Sequence, residues 1–245
     1  MTTRAADVLT GFRNWWSRAI LCRETYEARQ RRLADRAPQD IFETIYREKM
    51  WGGRSLLGRF YSGSGSHADH IVRPYVEAVR GHVSRMPQKP RIVDIGCGDF
   101  HVGRQLVGLA SSYLACDIVR PLIDSHRTKF RQPGLEFRVL DAINEPLPDG
   151  DLAVIRQVLQ HLNNAEVATV VAKLARYRTV IVTEHVPSGE FVPNLDKATG
   201  VDTRLRDRSG LVLTEPPFGL RPRLSQVICE VPEHGGVIRT VAYAF

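Results

Sequence analysis

Three acidic residues fall at the ends of three short apolar runs, and two glycines follow the first of them. That first run is Arg91-Ile-Val-Asp94-Ile-Gly96-Cys-Gly98-Asp-Phe100. An apolar strand that ends in an acid and then meets two glycines one residue apart reads as a buried parallel strand entering a nucleotide-binding turn. Glycine has no Cβ, so the backbone can approach a ligand there. The second acid, Asp117, closes the run Tyr113-Leu-Ala-Cys116, and a carboxylate in that place can accept bonds from both hydroxyls of a ribose. The third, Asp141, precedes Ala142 and closes the run Glu136 to Leu140, where it can receive the amino group of an adenine. A fourth run, Leu152 to Ile155, ends in Arg156-Gln157-Val-Leu-Gln160-His161-Leu162. Open α/β sheets bind ligands outside the carboxyl ends of their strands, so four polar strand ends in succession predict one site.

Two cofactor classes use such a turn. A dinucleotide site wants a third glycine three residues after the second, and that position holds His101; the next glycine is Gly103. The candidate general bases are His161, after the fourth strand, and His185, after the fifth in Thr183-Glu184-His185. A base is required only when the group that reacts still carries a proton at working pH. Glu184, Asp196 and Asp202 could join His185 as metal ligands, but no tight spacing supports this and no metal is assigned.

The elements that must position these residues alternate. Strands at 91–95, 113–116, 136–140, 152–155 and 180–183 are separated by helical segments at 101–109, 120–130 and 165–177, a pattern that implies a parallel sheet with right-handed crossovers. Two further strand-like runs, Ser225 to Val231 and Gly236 to Tyr243, are joined by Pro232-Glu-His-Gly-Gly236 and predict a hairpin. The expected fold is therefore α/β: a Rossmann-like, mostly parallel seven-stranded sheet with an antiparallel C-terminal hairpin, plus an N-terminal helical extension. Between the fifth strand and the hairpin, Val186 to Arg223 is long and rich in Pro, Gly, Asp and Arg, which marks a functional or partly helical insertion.

Pro87 to Pro90 separates a helical part (1–87) from the α/β part (88–245). Apolar residues recur at helical spacing over 4–32, as Val8, Phe12, Trp15, Trp16, Ala19, Ile20 and Tyr26, and packing on the chain's own domain or a homodimer contact is expected of that face. A second helix is expected over Asp40 to Lys49. Tyr61-Ser-Gly-Ser-Gly-Ser66 then reads as a polar loop, and Ser66-His-Ala-Asp69 has the spacing of a capping box. Trp51 and Tyr61 flank this loop, so Trp51, Tyr61, Ser64 and Ser66 are the expected lid or substrate contacts.

The 245 residues, 43% of them hydrophobic, suffice for one substantial core. No apolar run approaches the roughly 18–20 residues that span a bilayer, and charges at Arg4, Asp7, Arg13 and Arg18 interrupt the N-terminus, so neither a transmembrane segment nor a secretory signal is expected. Cys22, Cys97, Cys116 and Cys229 have no metal-site spacing and read as reduced thiols in a cytoplasm. The net charge of +7 comes from scattered arginines and not from a basic block interleaved with aromatics; nucleic acid is not the expected partner.

Taken in order, these motifs resemble the class I S-adenosylmethionine-dependent methyltransferases over residues 91 to 245. Val93-Asp94-Ile-Gly96-Cys-Gly98 looks like their glycine-rich first motif, Asp117 like their ribose acid, Asp141 like their adenine-binding acid, and Gln157-Val-Leu-Gln-His161-Leu like their fourth motif. The resemblance implies a methyltransferase with S-adenosylmethionine as cofactor, held by Asp94, Gly96, Gly98, Asp117, Ile118, Asp141, Ala142 and Gln157. A small-molecule acceptor is expected, with O-methylation as the finer expectation; an anionic acceptor would suit the charge. RNA or protein methylation, a non-catalytic cofactor-binding subunit and a nicotinamide oxidoreductase are the alternatives. Ile41-Phe-Glu-Thr-Ile-Tyr46, Trp51-Gly and the Ser/Gly loop are also similar to a bacterial subgroup of this superfamily. Glu215-Pro-Pro-Phe218 imitates the motif of amine-methylating enzymes, but it follows the fifth strand and not the fourth, and reads as a stiffened loop.

Overall fold

A computed structural model describes residues 26–52 and 60–245. The chain divides into two compact units, residues 1–36 and 37–245. In the first, the described part is helix α1, Tyr26–Leu33. The rest of the amphipathic segment at 4–32, and with it the expected homodimer contact, lies outside the described residues.

The second unit is built on a seven-stranded sheet in the order β3-β2-β1-β4-β5-β9-β8. Its strands are β1 (Arg91–Ile95), β2 (Ser112–Asp117), β3 (Leu135–Val139), β4 (Leu152–Arg156), β5 (Thr179–Pro187), β8 (Leu224–Glu233) and β9 (Gly236–Ala244). The first five run parallel, and β9 pairs antiparallel with both β5 and β8. This is the Rossmann-like sheet with an antiparallel C-terminal hairpin that the sequence predicts. The apolar runs are continuous because both faces of the central strands are covered; every residue of β4 up to Ile155 is buried. His234-Gly235 turns the hairpin, with Gly235 at φ +75°, and Pro232 and Glu233, expected in the turn, belong to the strand instead.

Strand order reverses at β1, which has β2 on one side and β4 on the other. Chain connections leave in opposite directions there, and a crevice opens at the carboxyl edge.

Three local expectations change. No α-helix forms over 101–109: Gly103 and Gly108 weaken it, and two short 3₁₀ turns, Gly103–Gln105 and Val107–Leu109, take its place. The helix expected over 165–177 is α5, Asn164–Val171, opened by a true capping box in which Asn163 and Glu166 bond each other's backbone N–H, and followed by a 3₁₀ turn at Leu174–Arg176. The box expected at Ser66 does not form. Helix α3, Asp69–Val83, has Ala68 at its cap, and Ser66 ends a 3₁₀ turn, Ser64–Ser66. Residues 37–87 share one compact unit with the α/β core. Helix α2 (Pro38–Arg47) buries Ile41, Phe42, Ile45 and Tyr46, and α3 sets Ile71 against Val231 and Ile238 of the hairpin. The remaining helix, α4, spans Arg120–Lys129, and the two-residue strands β6 (Val192–Pro193) and β7 (Ser209–Gly210) pair within the insertion.

Candidate functional site

At the carboxyl edge, the crevice deepens into a cavity of about 330 Å³, within the range usual for small-molecule sites. Asp94, Asp117 and Asp141 all line it, and so do Gly96, Gly98, Ile118, Ala142 and Gln157. Sheet order explains the convergence: β3, β2 and β1 are neighbours, so their terminal acids stand in a row.

Each acid is preset by bonds of its own. Asp117 is buried; its Oδ2 accepts from Gly98 N–H at 3.0 Å and its Oδ1 from Val119 N–H at 3.0 Å. Burial pushes its carboxyl up to about 6 against the pull of those amides. Asp94 accepts from the Tyr113 hydroxyl at 2.8 Å, and burial pushes its carboxyl up to about 7. Asp141 ties its own turn, with Oδ1 taking Ile143 N–H at 2.9 Å and Oδ2 the Asn144 side-chain amide at 2.7 Å. A carboxylate oxygen has two acceptor sites, so Asp117 and Asp141 keep capacity for ribose hydroxyls and an adenine amine.

The glycines behave differently from the sequence reading. Gly96 and Gly98 have φ of +78° and +54°, as a tight turn demands. The space a Cβ would need, however, is filled by protein. At Gly96 it would meet Val158 Cγ2 at 2.3 Å, and at Gly98 it would meet Ser62 Oγ at 2.4 Å. Gly103, which the sequence reading passed over, does the work of the absent third glycine: a Cβ there would meet Phe100 at 2.7 Å and the Asp94 carboxylate at 2.8 Å.

A second set of residues faces the acids. Gln157 follows β4 at φ +54°, a costly conformation for a side-chain-bearing residue, and its amide lies where a Cβ on Gly65 would be, at 2.7 Å. Trp51, Ser64 and Ser66 line the cavity, together with Phe42, Tyr46, Tyr75 and Arg156. Tyr61 does not; it stacks on His67 with ring centres 4.6 Å apart. The Ser/Gly loop is clasped to the glycine turn. Asp99 N–H donates to Ser62 Oγ at 2.8 Å, Ser62 N–H donates back to Asp99 Oδ2 at 2.8 Å, the Tyr46 hydroxyl meets Ser62 Oγ at 2.8 Å, and His67 Nε2 lies 2.6 Å from Asp99 Oδ2.

Of the two histidines, only His161 reaches the cavity. Its state follows from its neighbours. Gln160 Oε1 accepts from His185 N–H at 2.9 Å, so the amide end of Gln160 faces His161 Nε2, at 3.3 Å, as donor. Nε2 must then be the unprotonated nitrogen, and Nδ1–H donates to Gly200 O at 3.2 Å. Burial, with the nearby Lys197 ammonium, pushes the imidazole down to about 3. His161 is thus a neutral ring with its lone pair engaged, packed 5.2 Å from the Trp51 ring. His185 points to the hairpin, its Nε2 lying 3.4 Å from Glu233 O, and does not line the cavity. Val201 and Thr203 bring the insertion to the cavity wall. Buried Arg204 fastens this segment through bonds to Leu195 O at 2.9 Å and Leu162 O at 2.9 Å. Residues 215–218 stay away from the cavity.

Ser62, Asp99, Val158, Gly103, Tyr113 and Arg156 escaped assignment as site residues. Arg156 carried one signal: it is the lone charge ending an apolar run. The others have none, because their partners are distant in sequence.

Residues 92–178 match a family model described as "Methyltransferase domain". The chain therefore carries a methyltransferase domain over these residues. No curated protein matches its sequence. Among solved structures it is similar to a SAM-dependent methyltransferase of Leishmania major, at 16% identity over 89% of each chain with a TM-score of 0.58. It is similar also to the magnesium protoporphyrin IX methyltransferase of Synechocystis with bound SAH, at 13% identity over 84% of this chain and 97% of that one, TM-score 0.53. Human N-acetylserotonin methyltransferase in complex with SAM aligns at 14% identity over 89% of this chain and 67% of that one, TM-score 0.51. At these identities the likeness is one of fold. No helix among the described residues of the chain is long and apolar enough to cross a membrane.

Proposed function

We propose that the methyltransferase O-methylates a small molecule enclosed between the cofactor acids and the aromatic wall of residues 42–75. The observation that supports this most directly is the cavity itself. One cavity is lined both by the carboxylates of Asp94, Asp117 and Asp141 and by Phe42, Tyr46, Trp51 and Tyr75, which suits a cationic donor beside a compact organic acceptor better than it suits a polymer. Asp117 and Ile118 would hold the ribose, Asp141 and Ala142 the adenine, and Asp94 the ammonium group, with Gly96, Gly98 and Gln157 shaping the floor. S-adenosylmethionine, when bound, supplies an electrophilic methyl on a sulfonium. The chain's part is to align the acceptor and exclude water, and well-oriented reactants can gain about 7–11 kcal/mol from alignment.

The contacts of His161 and the position of His185 favour positioning roles for both over proton transfer. Three free thiols among the described residues, Cys97, Cys116 and Cys229, support placement in a reducing cytoplasm. The test joins calorimetry with S-adenosylhomocysteine to labelled methyl transfer from S-adenosylmethionine into a panel of small phenols, alcohols, amines and carboxylic acids, with RNA and casein as polymer controls. Tight S-adenosylhomocysteine binding and label confined to a small oxygen nucleophile are expected. Label appearing in RNA or casein alone would reject the reading.

A further inference from the structure

The cavity is electrostatically two-sided. Asp94, Asp117 and Asp141 belong to β1, β2 and the residues after β3; Arg156 ends β4, on the other flank of β1. That guanidinium lines the cavity. Nη2 donates to Gly65 O at 2.6 Å and Nη1 to Ser66 Oγ at 3.2 Å, and Cζ sits 5.0 Å from the centre of the Tyr75 ring. All three partners are neutral, and among the described residues no carboxylate lies within ion-pair distance of it. Among the described residues its Nε–H has no acceptor, and neither has the indole Nε1–H of Trp51, which lines the same cavity. An unmet buried donor costs about 1–3 kcal/mol, and only the longer-range attraction of Asp94, Glu184 and Asp99 offsets burial of the Arg156 charge. Two unmet buried donors on cavity-lining residues, Arg156 Nε–H and Trp51 Nε1–H, beside a guanidinium charge therefore call for a ligand rich in oxygen acceptors and negative in charge.

The proton-accepting groups point the same way. His161 has its lone pair engaged. Asp99 is tied by the Ser62 and His101 N–H donors, and Asp117 and Asp141 lie at the strand ends assigned to the cofactor. Burial pushes the Tyr46 and Tyr75 hydroxyls and the Cys97 thiol up, so none of them is ionised near neutrality. Asp94, poised near neutrality, lies in the cofactor half and holds Tyr113.

Resting on the methyl-transfer reading above, we infer that the acceptor is an ionised carboxylate, held through one oxygen by Arg156 with Trp51 Nε1 and methylated on the other. The carboxylate oxygen supplies the electron pair for the new C–O bond as the methyl C–S bond breaks and its pair stays on sulfur. A carboxylate and a sulfonium become a neutral ester and a neutral thioether. No proton moves, so no base is needed.

The test uses the full chain saturated with S-adenosylhomocysteine and two probes of matched shape, benzoate and benzamide, titrated by ligand-observed NMR. The wild type is expected to bind benzoate at least tenfold more tightly than benzamide. Arg156→Met should erase that preference and Arg156→Lys, which keeps charge without the fork, should retain part of it. Both should bind S-adenosylhomocysteine within threefold of wild type and remain folded by circular dichroism. Equal binding of the two probes, or no benzoate binding, overturns the inference. So does a large loss of S-adenosylhomocysteine affinity in the folded Arg156→Met variant, which would give Arg156 to the cofactor's own carboxylate. If wild type fails to bind S-adenosylhomocysteine at all, the cofactor site itself is misread, a result distinct from the others. As a second readout, any methyl product should release volatile methanol in alkali; an alkali-stable product refutes ester formation.

Discussion

Asp94 titrates where cofactor binding can be read as a proton. Burial raises its carboxyl to about 7, so near that pH it is half protonated. An ammonium group brought beside it favours the ionised form and lowers that value. Binding of S-adenosylhomocysteine at pH 7 should therefore release protons, visible as calorimetric heats that vary with the ionisation enthalpy of the buffer. The release should vanish by about pH 8.5, where the acid is already ionised, and affinity should weaken as pH falls below 7. Asp117 is a second test at this scale. In Asp117→Ala both Gly98 N–H and Val119 N–H lose their acceptor, and the ribose would lose its own. A lost hydrogen bond to a charged group costs about 1.5–3 kcal/mol, so S-adenosylhomocysteine affinity should drop by roughly 10- to 150-fold while circular dichroism still reports a folded protein.

The glycine turn, the Ser/Gly loop and the residues after β4 form one interlocked unit. Gly96→Ala would strain a left-handed residue, at about 1–2 kcal/mol, and drive a methyl into Val158. Pairing it with Val158→Ala should recover the steric part of the lost melting temperature but not the backbone part, and a double-mutant cycle measures the split. Ser62→Ala removes the hydroxyl that Asp99 N–H and Tyr46 share. At about 1 kcal/mol per bond, the loop at 60–66 should open more often, which amide hydrogen exchange of Ser62 and Ala68 would register.

For the whole molecule, the issue is where the folding unit begins. Helix α3 buries Ile71, Val72, Tyr75, Val76, Val79 and Val83, and Ile71 seals the hairpin residues Val231 and Ile238. Each fully buried apolar side chain contributes about 1.5–3 kcal/mol, so losing the set rivals the entire ~5–15 kcal/mol stability of a domain. A fragment of residues 88–245 should consequently fail to melt cooperatively in calorimetry, whereas one of residues 37–245 should retain a single transition.

What the sequence determined by itself was the periodic and the local. Alternating runs specified the five parallel strands and the hairpin, since a side chain's burial in a strand depends on its own run. The acids Asp94, Asp117 and Asp141 were legible because each ends such a run, and parallel order brings run ends to one edge. Tertiary structure decided what depends on contact between distant segments. It put Ser62 and Val158 into the glycine gaps, gave Gly103 the packing role, turned His185 away, engaged the His161 lone pair through Gln160, and left the Arg156 cation at the cavity with no carboxylate within ion-pair distance among the described residues. Apart from the charge of Arg156 at the end of an apolar run, none of these has a sequence signal, because a side chain's partner, and hence its charge and protonation state, is set by packing across tens of residues and not by its neighbours along the chain.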